Sequence, residues 1–229
     1  RVFSKEIFDL ILVTGASGLI GQAVFRNFLR NGVSCTGAVR ALSSIPQDCF
    51  RQFYVEVGDI SRRIDWSPAL KGIDCVVHCA GISGVRDAQS SDELNLLFQV
   101  NVEAVRNLAH DSVNCGVRRF IFLSTVKVFG EKNVGEKPFT IADPDNPQSV
   151  YAESKLMAER VLRKVASQNC LEVIIIRVPL VVGRGAEGNL KMLVNLISLG
   201  VPLPLASLSN KRSFVGLSNL VEAIGGFVW

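Results

Sequence analysis

The stretch Thr14-Gly15-Ala16-Ser17-Gly18-Leu19-Ile20-Gly21 decides the fold, because it follows the apolar run Asp9 to Val13 and opens into the helical pattern Leu19 to Arg30. Glycines at this spacing also occur in ordinary turns. A strand before them and a helix after them mark the phosphate-binding turn of a dinucleotide fold. Gly15 allows the tight turn, Gly18 lets backbone approach a pyrophosphate, and Gly21 lets the helix pack on the sheet. The start of that helix then offers N–H groups and a positive dipole end to phosphate.

Outward from this turn, apolar runs alternate with helical patterns, as expected when helices cross over between parallel strands buried on both faces. The strands are expected at Asp9 to Val13, Val33 to Val39, Gln52 to Val57, Asp74 to Cys79, Phe120 to Ser124 and Val173 to Val178. Helices are expected near Leu19 to Arg30, Asp92 to Asn114, Tyr151 to Ser167 and Asn189 to Leu199. The pattern predicts an α/β, Rossmann-type doubly wound parallel sheet over residues 1–178. A small, truncated C-terminal substrate-binding annex follows over residues 179–229. Pro138, Pro144 and Pro147 make 130–149 a long loop, and Pro179 to Gly188 reads as irregular.

Composition narrows the function class. The net charge of +4 is scattered along 229 residues rather than gathered in a run, which gives no support to nucleic-acid binding. A mild positive balance suits a phosphorylated substrate. No window approaches the roughly 18 uncharged apolar residues of a membrane span, and the first apolar stretch carries Asp9 and runs into the glycine turn rather than a cleavage site. The six cysteines include no CxxC pair. Cys75 and Cys79 stand too far apart on a strand to share a metal, so no metal site is expected and reduced core thiols in a cytoplasmic protein are. The chain begins at Arg1 and stops at Trp229 within an apolar helical pattern, so the annex is expected to be incomplete.

The chemistry gathers at the carboxyl ends of the expected strands. The second strand ends in Val39-Arg40 with no acid to take a ribose 2′-hydroxyl, and Arg40 suits a 2′-phosphate; together they favour NADP over NAD. Asp59 is placed to cap a turn or to touch the adenine, and the cap is the simpler role. Tyr151 and Lys155 lie four apart at a helix start, on one face. An ammonium and a nicotinamide beside the phenol would lower its pKa from about 10 and let it exchange a proton with a substrate hydroxyl as hydride is transferred. Ser124 or Thr125, at the end of the fifth strand, is positioned to hydrogen-bond the reacting oxygen. His78 in an apolar strand reads as a core histidine, Asn101 as an organiser of backbone, and His110 has no visible partner.

These residues resemble an extended short-chain dehydrogenase/reductase of the NAD-dependent epimerase/dehydratase family. The matches are Thr14 to Gly21, Asp59-Ile60, His78-Cys79-Ala80-Gly81, Asn101, Ser124-Thr125, Tyr151 with Lys155, Arg177-Val178-Pro179 and Arg212-Ser213-Phe214, in family order along nearly the whole chain. The run Ser124 to Glu131, with Gly188-Asn189 and Pro202 to Leu205, is similar to a bacterial branch of nucleotide-sugar 4-epimerases and 4-keto reductases of surface-polysaccharide pathways. The resemblance implies NAD(P) contacts along Gly15, Ser17, Gly18, Leu19, Ile20 and Gly21. It adds Asp59, Ile60, Cys79, Ala80, Gly81 and Asn101, with Pro179 near the nicotinamide and Lys155 on a ribose. It makes Tyr151 the acid/base and Thr125, or Ser124 beside it, the group that orients the substrate. Lys127 is placed at the substrate, and Asn189 and Arg212 at its diphosphate, where the Arg fork matches phosphate oxygens. Lys127 and Phe129 depart from the residues common in the best-known epimerases, and Val39 stands in place of their NAD-selecting acid. A homodimer is implied by analogy alone.

The first expectation is therefore 4-epimerisation of a UDP-hexose through a 4-keto sugar. An NADPH-dependent 4-keto reductase using the same residues is the alternative, and Arg40 favours it. A cofactor sensor without catalysis is a third reading, against which the intact Ser124-Thr125, Tyr151 and Lys155 argue.

Overall fold

Alternating burial on both faces builds the central sheet. In the computed structural model, which describes residues 10–45, 47–48, 50–83, 90–133, 137–185, 189–200 and 211–228, Ile11 and Val13 point into one apolar layer and Leu12 into the other. The elements run β1 (Ile11–Thr14), α1 (Leu19–Arg30), β2 (Cys35–Val39), β3 (Tyr54–Glu56), α2 (Ser67–Leu70), β4 (Cys75–His78), α3 (Ser91–Phe98) and α4 (Ala104–Asn114). They continue as β5 (Arg119–Thr125), α5 (Val150–Gln168), β6 (Glu172–Val178), β7 (Leu180–Val182), α6 (Asn189–Ser198), β8 (Phe214–Gly216) and α7 (Leu217–Gly226).

Strands β1 to β6 form one parallel sheet in the order β3-β2-β1-β4-β5-β6. The order reverses between β1 and β4, and open α/β sheets bind ligands outside the carboxyl ends of the strands at such a reversal. One layer packs Val24, Phe25 and Phe28 of α1 with Leu220, Val221 and Ile224 of α7 against Val13, Val77 and Ile121. The other packs Trp66, Leu70, Leu108 and Leu162 against Leu12, Val76 and Phe120.

The α/β doubly wound sheet is thus the one the sequence predicts, with strand ends shifted by a residue or two. Besides the short helix α2, which was not expected, three features differ. The helix expected over Asp92 to Asn114 is interrupted by a π-turn, Gln99–Glu103, between α3 and α4. Pro179 to Gly188 is not wholly irregular: β7 lies in it and pairs with β8 in parallel, Leu180 opposite Phe214 and Val182 opposite Gly216. The apolar pattern near the end forms α7, which closes at Gly226 and lies in the same core layer as α1. No described helix is long and apolar enough to cross a membrane.

Candidate active site

The glycine turn packs directly on the end of β4. Gly15 has φ +65°, and a Cβ there would stand 2.7 Å from Ala80 Cα, so a side chain is excluded by both conformation and space. A Cβ on Gly21 would strike the Gly15 carbonyl oxygen, which places the third glycine against the turn as well as the sheet. Thr14 Oγ1 lies 2.8 Å from His78 Nδ1 and accepts from the Ala80 N–H at 3.4 Å, tying β1 to the chain leaving β4. Gly18 is the extended residue before α1, and no side chain caps that helix. Its first-turn amides therefore have no side-chain acceptor, and the residues present fit a diphosphate.

Asn101 sits in the π-turn and is buried. Its Oδ1 accepts from the Ile82 N–H at 2.8 Å, and its Nδ2 donates to the Ile82 carbonyl and to Ser154 Oγ at 3.0 Å each. Ser154 Oγ in turn donates to the Tyr151 carbonyl at 2.8 Å. One amide thereby joins the segment after β4 to the first turn of α5. A Cβ on Gly81 would lie 3.1 Å from Asn101 Oδ1 and 3.2 Å from Lys155 Nζ, so Gly81, Asn101 and Lys155 meet at one point.

Ser149 starts α5 by accepting from the Ala152 N–H at 3.3 Å, which sets Tyr151 and Lys155 in the first two turns. Lys155 is buried, donates from Nζ to the Leu123 carbonyl at 3.0 Å and stands 4.7 Å from the centre of the Phe122 ring. Burial pulls its ammonium down to about 8. Burial pushes the Tyr151 phenol above its ordinary value. The sequence expectation was a lowered phenol; in the chain alone desolvation prevails, because Lys155 Nζ is directed to the Leu123 carbonyl. His78 is held down to about 3 by burial, with its Nε2 unpartnered, and so is a neutral core imidazole.

The two hydroxyls at the end of β5 have different surroundings. Ser124 Oγ donates to Glu159 Oε1 at 2.5 Å inside the protein. Thr125 Oγ1 accepts from the Lys127 N–H at 3.3 Å, opening the turn Val126–Phe129. Lys127 Nζ bonds Glu131 Oε1 at 2.8 Å and is partly exposed. Ser17 is exposed, Leu19, Ile20 and Cys79 are partly buried, and Pro179 follows β6. Asp59 caps its own turn, accepting from the Ser61 N–H at 3.0 Å. That bond holds its carboxyl below the usual range, with Arg40 and Arg62 adding to the effect. Ile60 lies in the same turn, and Arg40 is exposed at the end of β2. Arg212 is exposed just before β8, and Asn189 is the first residue of α6, its side chain lying outside those described. Among the described residues, no group of three or more His, Cys, Asp or Glu side chains could hold a metal ion.

Ser154 and Glu159 were not singled out from sequence, and Thr14 was read only as the start of the glycine stretch. Glu159 carried a signal, since it stands one turn beyond Lys155 on the face of α5 that turns inward.

The chain matches the family model for the NAD dependent epimerase/dehydratase family over residues 11–225. The chain belongs to the NAD-dependent epimerase/dehydratase family. It is 38% identical over 216 residues to a UDP-glucose 4-epimerase of Vibrio cholerae, covering 93% of this chain and 65% of that relative. It superposes on MoeE5 solved with UDP-glucose and NAD at a TM-score of 0.78 and 25% identity, covering 95% of this chain and 70% of MoeE5. With UDP-glucuronic acid 4-epimerase from Bacillus cereus, solved with UDP-glucuronic acid and NAD, the TM-score is 0.81 at 22% identity. That match covers 96% of this chain and 73% of the other, and shows the shared fold. The chain spans between about half and two thirds of the length of the first curated relatives of this family that it matches.

Proposed function

We propose that this family member is an NAD(P)-dependent enzyme acting on a nucleotide sugar, and that its reaction is 4-epimerisation of a UDP-hexose. The supporting observation is the placement of Lys155, buried against Gly81 and the Leu123 carbonyl one turn from Tyr151, beside the glycine turn at the reversal of strand order. The similarity to the Vibrio cholerae UDP-glucose 4-epimerase points the same way.

On this reading the amides of Ser17 to Ile20 hold the cofactor diphosphate, with Gly15, Gly18 and Gly21 giving the close approach. Ile60, Cys79, Ala80, Gly81 and Asn101 line the rest of the crevice, and Pro179 borders its far side. A bound nicotinamide would supply the acceptor and donor of the hydride at C4 of the sugar. Tyr151 takes the proton of the 4-hydroxyl and returns it. Lys155, still an ammonium below about pH 8, favours the phenolate that burial alone disfavours. Thr125 is the hydroxyl that orients the sugar oxygen, since Ser124 is engaged by Glu159. Lys127, Asn189 and Arg212 belong to the substrate side, residues 179–229 forming part of the substrate-binding region and residues 1–178 the cofactor-binding one. On this reading the reaction is cytoplasmic.

Arg40 favours a second reading, NADPH-dependent reduction of a 4-keto nucleotide sugar, because β2 ends without an acid. Dissociation constants for NAD and NADP, with tritium transfer from labelled NADPH into product, separate the two. Tight NAD, no transfer and UDP-glucose to UDP-galactose interconversion without added cofactor support the epimerase. Tritium in product supports the reductase, and neither activity in the cofactor-loaded full-length protein sinks both for these sugars.

A further inference from the structure

Lys155 has few hydrogen-bond partners for a buried ammonium. Its Nζ carries three N–H donors, and among the described residues one acceptor, the Leu123 carbonyl at 3.0 Å, takes one of them. Nζ is also close to Gly81, where an added Cβ would lie 3.2 Å from it. What else meets the amine is aromatic: Nζ stands over the fully buried Phe122 ring, 4.7 Å from its centre. A cation within about 6 Å of a ring centre is attracted by the negative face of the π-system, and more strongly where water is excluded. The alternation of β5 explains the pairing of ring and carbonyl. Phe122 points into the apolar layer that contains Ala158 and Leu162 of α5, whereas the Leu123 side chain turns to the opposite layer. Strand β5 therefore offers Lys155 a ring from one residue and a backbone carbonyl from the next.

We propose that Phe122 is a positioning residue for Lys155: its ring face holds the ammonium at the end of β5, beside the Leu123 carbonyl and Gly81. The use of that ammonium in catalysis rests on the function proposed above, whereas its support by Phe122 does not. The titratable groups that bear on Lys155 are His78 and Cys79 from the end of β4, and Tyr151 and Glu159 of α5. Asn101 of the π-turn meets it at Gly81 and is uncharged. Burial leaves His78 neutral at about 3, raises the Tyr151 phenol and pushes the Cys79 thiol up to about 12, so none of the three carries charge near pH 8. The neutral His78 ring lies nearly parallel to Phe122, 6.0 Å between centres. Glu159 adds an attraction for Lys155, but its carboxylate is bonded to Ser124, Arg177 and Arg163, and the two guanidinium groups offset its charge. The ring and the carbonyl are then the direct contacts that favour the charged amine.

The test is an NMR titration of the Lys155 side-chain amine in the cofactor-loaded full-length protein, assigned by comparison with Lys155→Arg. Phe122 is replaced in turn by mono-, di- and trifluorophenylalanine. Ring fluorines draw electron density from the ring face with little change of shape, so the packing is kept while the attraction fades. Wild type should titrate near 8, and the midpoint should fall stepwise as fluorines are added. Phe122→Leu, which removes the ring, should lower it by about half a pH unit or more. Should Phe122→Leu not fold, the fluorinated series decides alone. A midpoint that stays at its wild-type value, or rises, across that series overturns the proposal. The alkaline limb of kcat should follow the midpoint. A midpoint that falls while the limb stays, or a wild-type enzyme inert on UDP-hexoses, would instead overturn the functional reading and leave the role of Phe122 supported by the amine titration.

Discussion

At the scale of single residues, the site depends on how burial treats two neighbouring titratable groups on α5. Burial raises the Tyr151 phenol and lowers the Lys155 ammonium to about 8, so each is moved towards its neutral form. The proposed mechanism needs Lys155 charged. Because its folded pKa is depressed, the ammonium is present below about 8 and is lost as pH rises through that value. The rate is therefore expected to fall on the alkaline side near pH 8, and a kcat profile flat to pH 10 would contradict the assignment. Tyr151→Phe removes the proton carrier and leaves the cradle intact, so kcat should drop by at least about 100-fold with cofactor still bound, read by turnover beside fluorescence of the bound nucleotide. Thr125 and Ser124 show what adjacent hydroxyls conceal in sequence. Sequence offers either hydroxyl as the orienting group, but which member is already engaged depends on Glu159, 35 positions away from Ser124.

At the scale of elements, the glycine turn and the start of α5 were legible because local chemistry fixes both. Helix α1 was expected over Leu19 to Arg30 and forms over those residues, its amphipathic pattern following directly on the turn. Gly15→Ala should destabilise the protein by more than about 1 kcal/mol, since φ is +65° and the added Cβ meets the Ala80 backbone. It should also weaken nucleotide binding, as denaturant titration and isothermal calorimetry would show. Ser149→Ala removes the cap of α5 and should cost about 1 kcal/mol in denaturant unfolding. The π-turn Gln99–Glu103 was not legible: its sequence continues the apolar pattern of α3 and α4, and the bulge is fixed by the tertiary contacts of Asn101 with Ile82 and Ser154. Strands β7 and β8 escaped for another reason. Three residues carry too little periodicity to register, and their pairing joins Leu180 to Phe214 across more than thirty residues.

At the scale of the whole molecule, six parallel strands with helices on both faces bring the glycine turn, Gly81 and Lys155 to the reversal of strand order. The sheet was legible because strands buried on both faces read as unbroken apolar runs. The hydrogen-bonded links that hold its ends together were not, because Thr14 to His78 and Asn101 to Ser154 join residues far apart in sequence. His78 also sets an acid limit on the fold. Its imidazole titrates near 3 when folded and near 6.5 when unfolded, so the unfolded chain binds the extra proton between those values. Stability is full above about 6.5 and declines as pH falls toward 3, by an amount on the order of a few kcal/mol. His78→Gln should flatten that decline in urea unfolding measured between pH 7 and pH 4. The central claim is that this site epimerises a UDP-hexose with its own Tyr151 and Lys155. Its most direct test is NMR of UDP-glucose deuterated at C4, incubated with the full-length protein and no added cofactor. UDP-galactose that keeps deuterium at C4 is the expected result; no interconversion, or product whose C4 label has been lost to water, would contradict it.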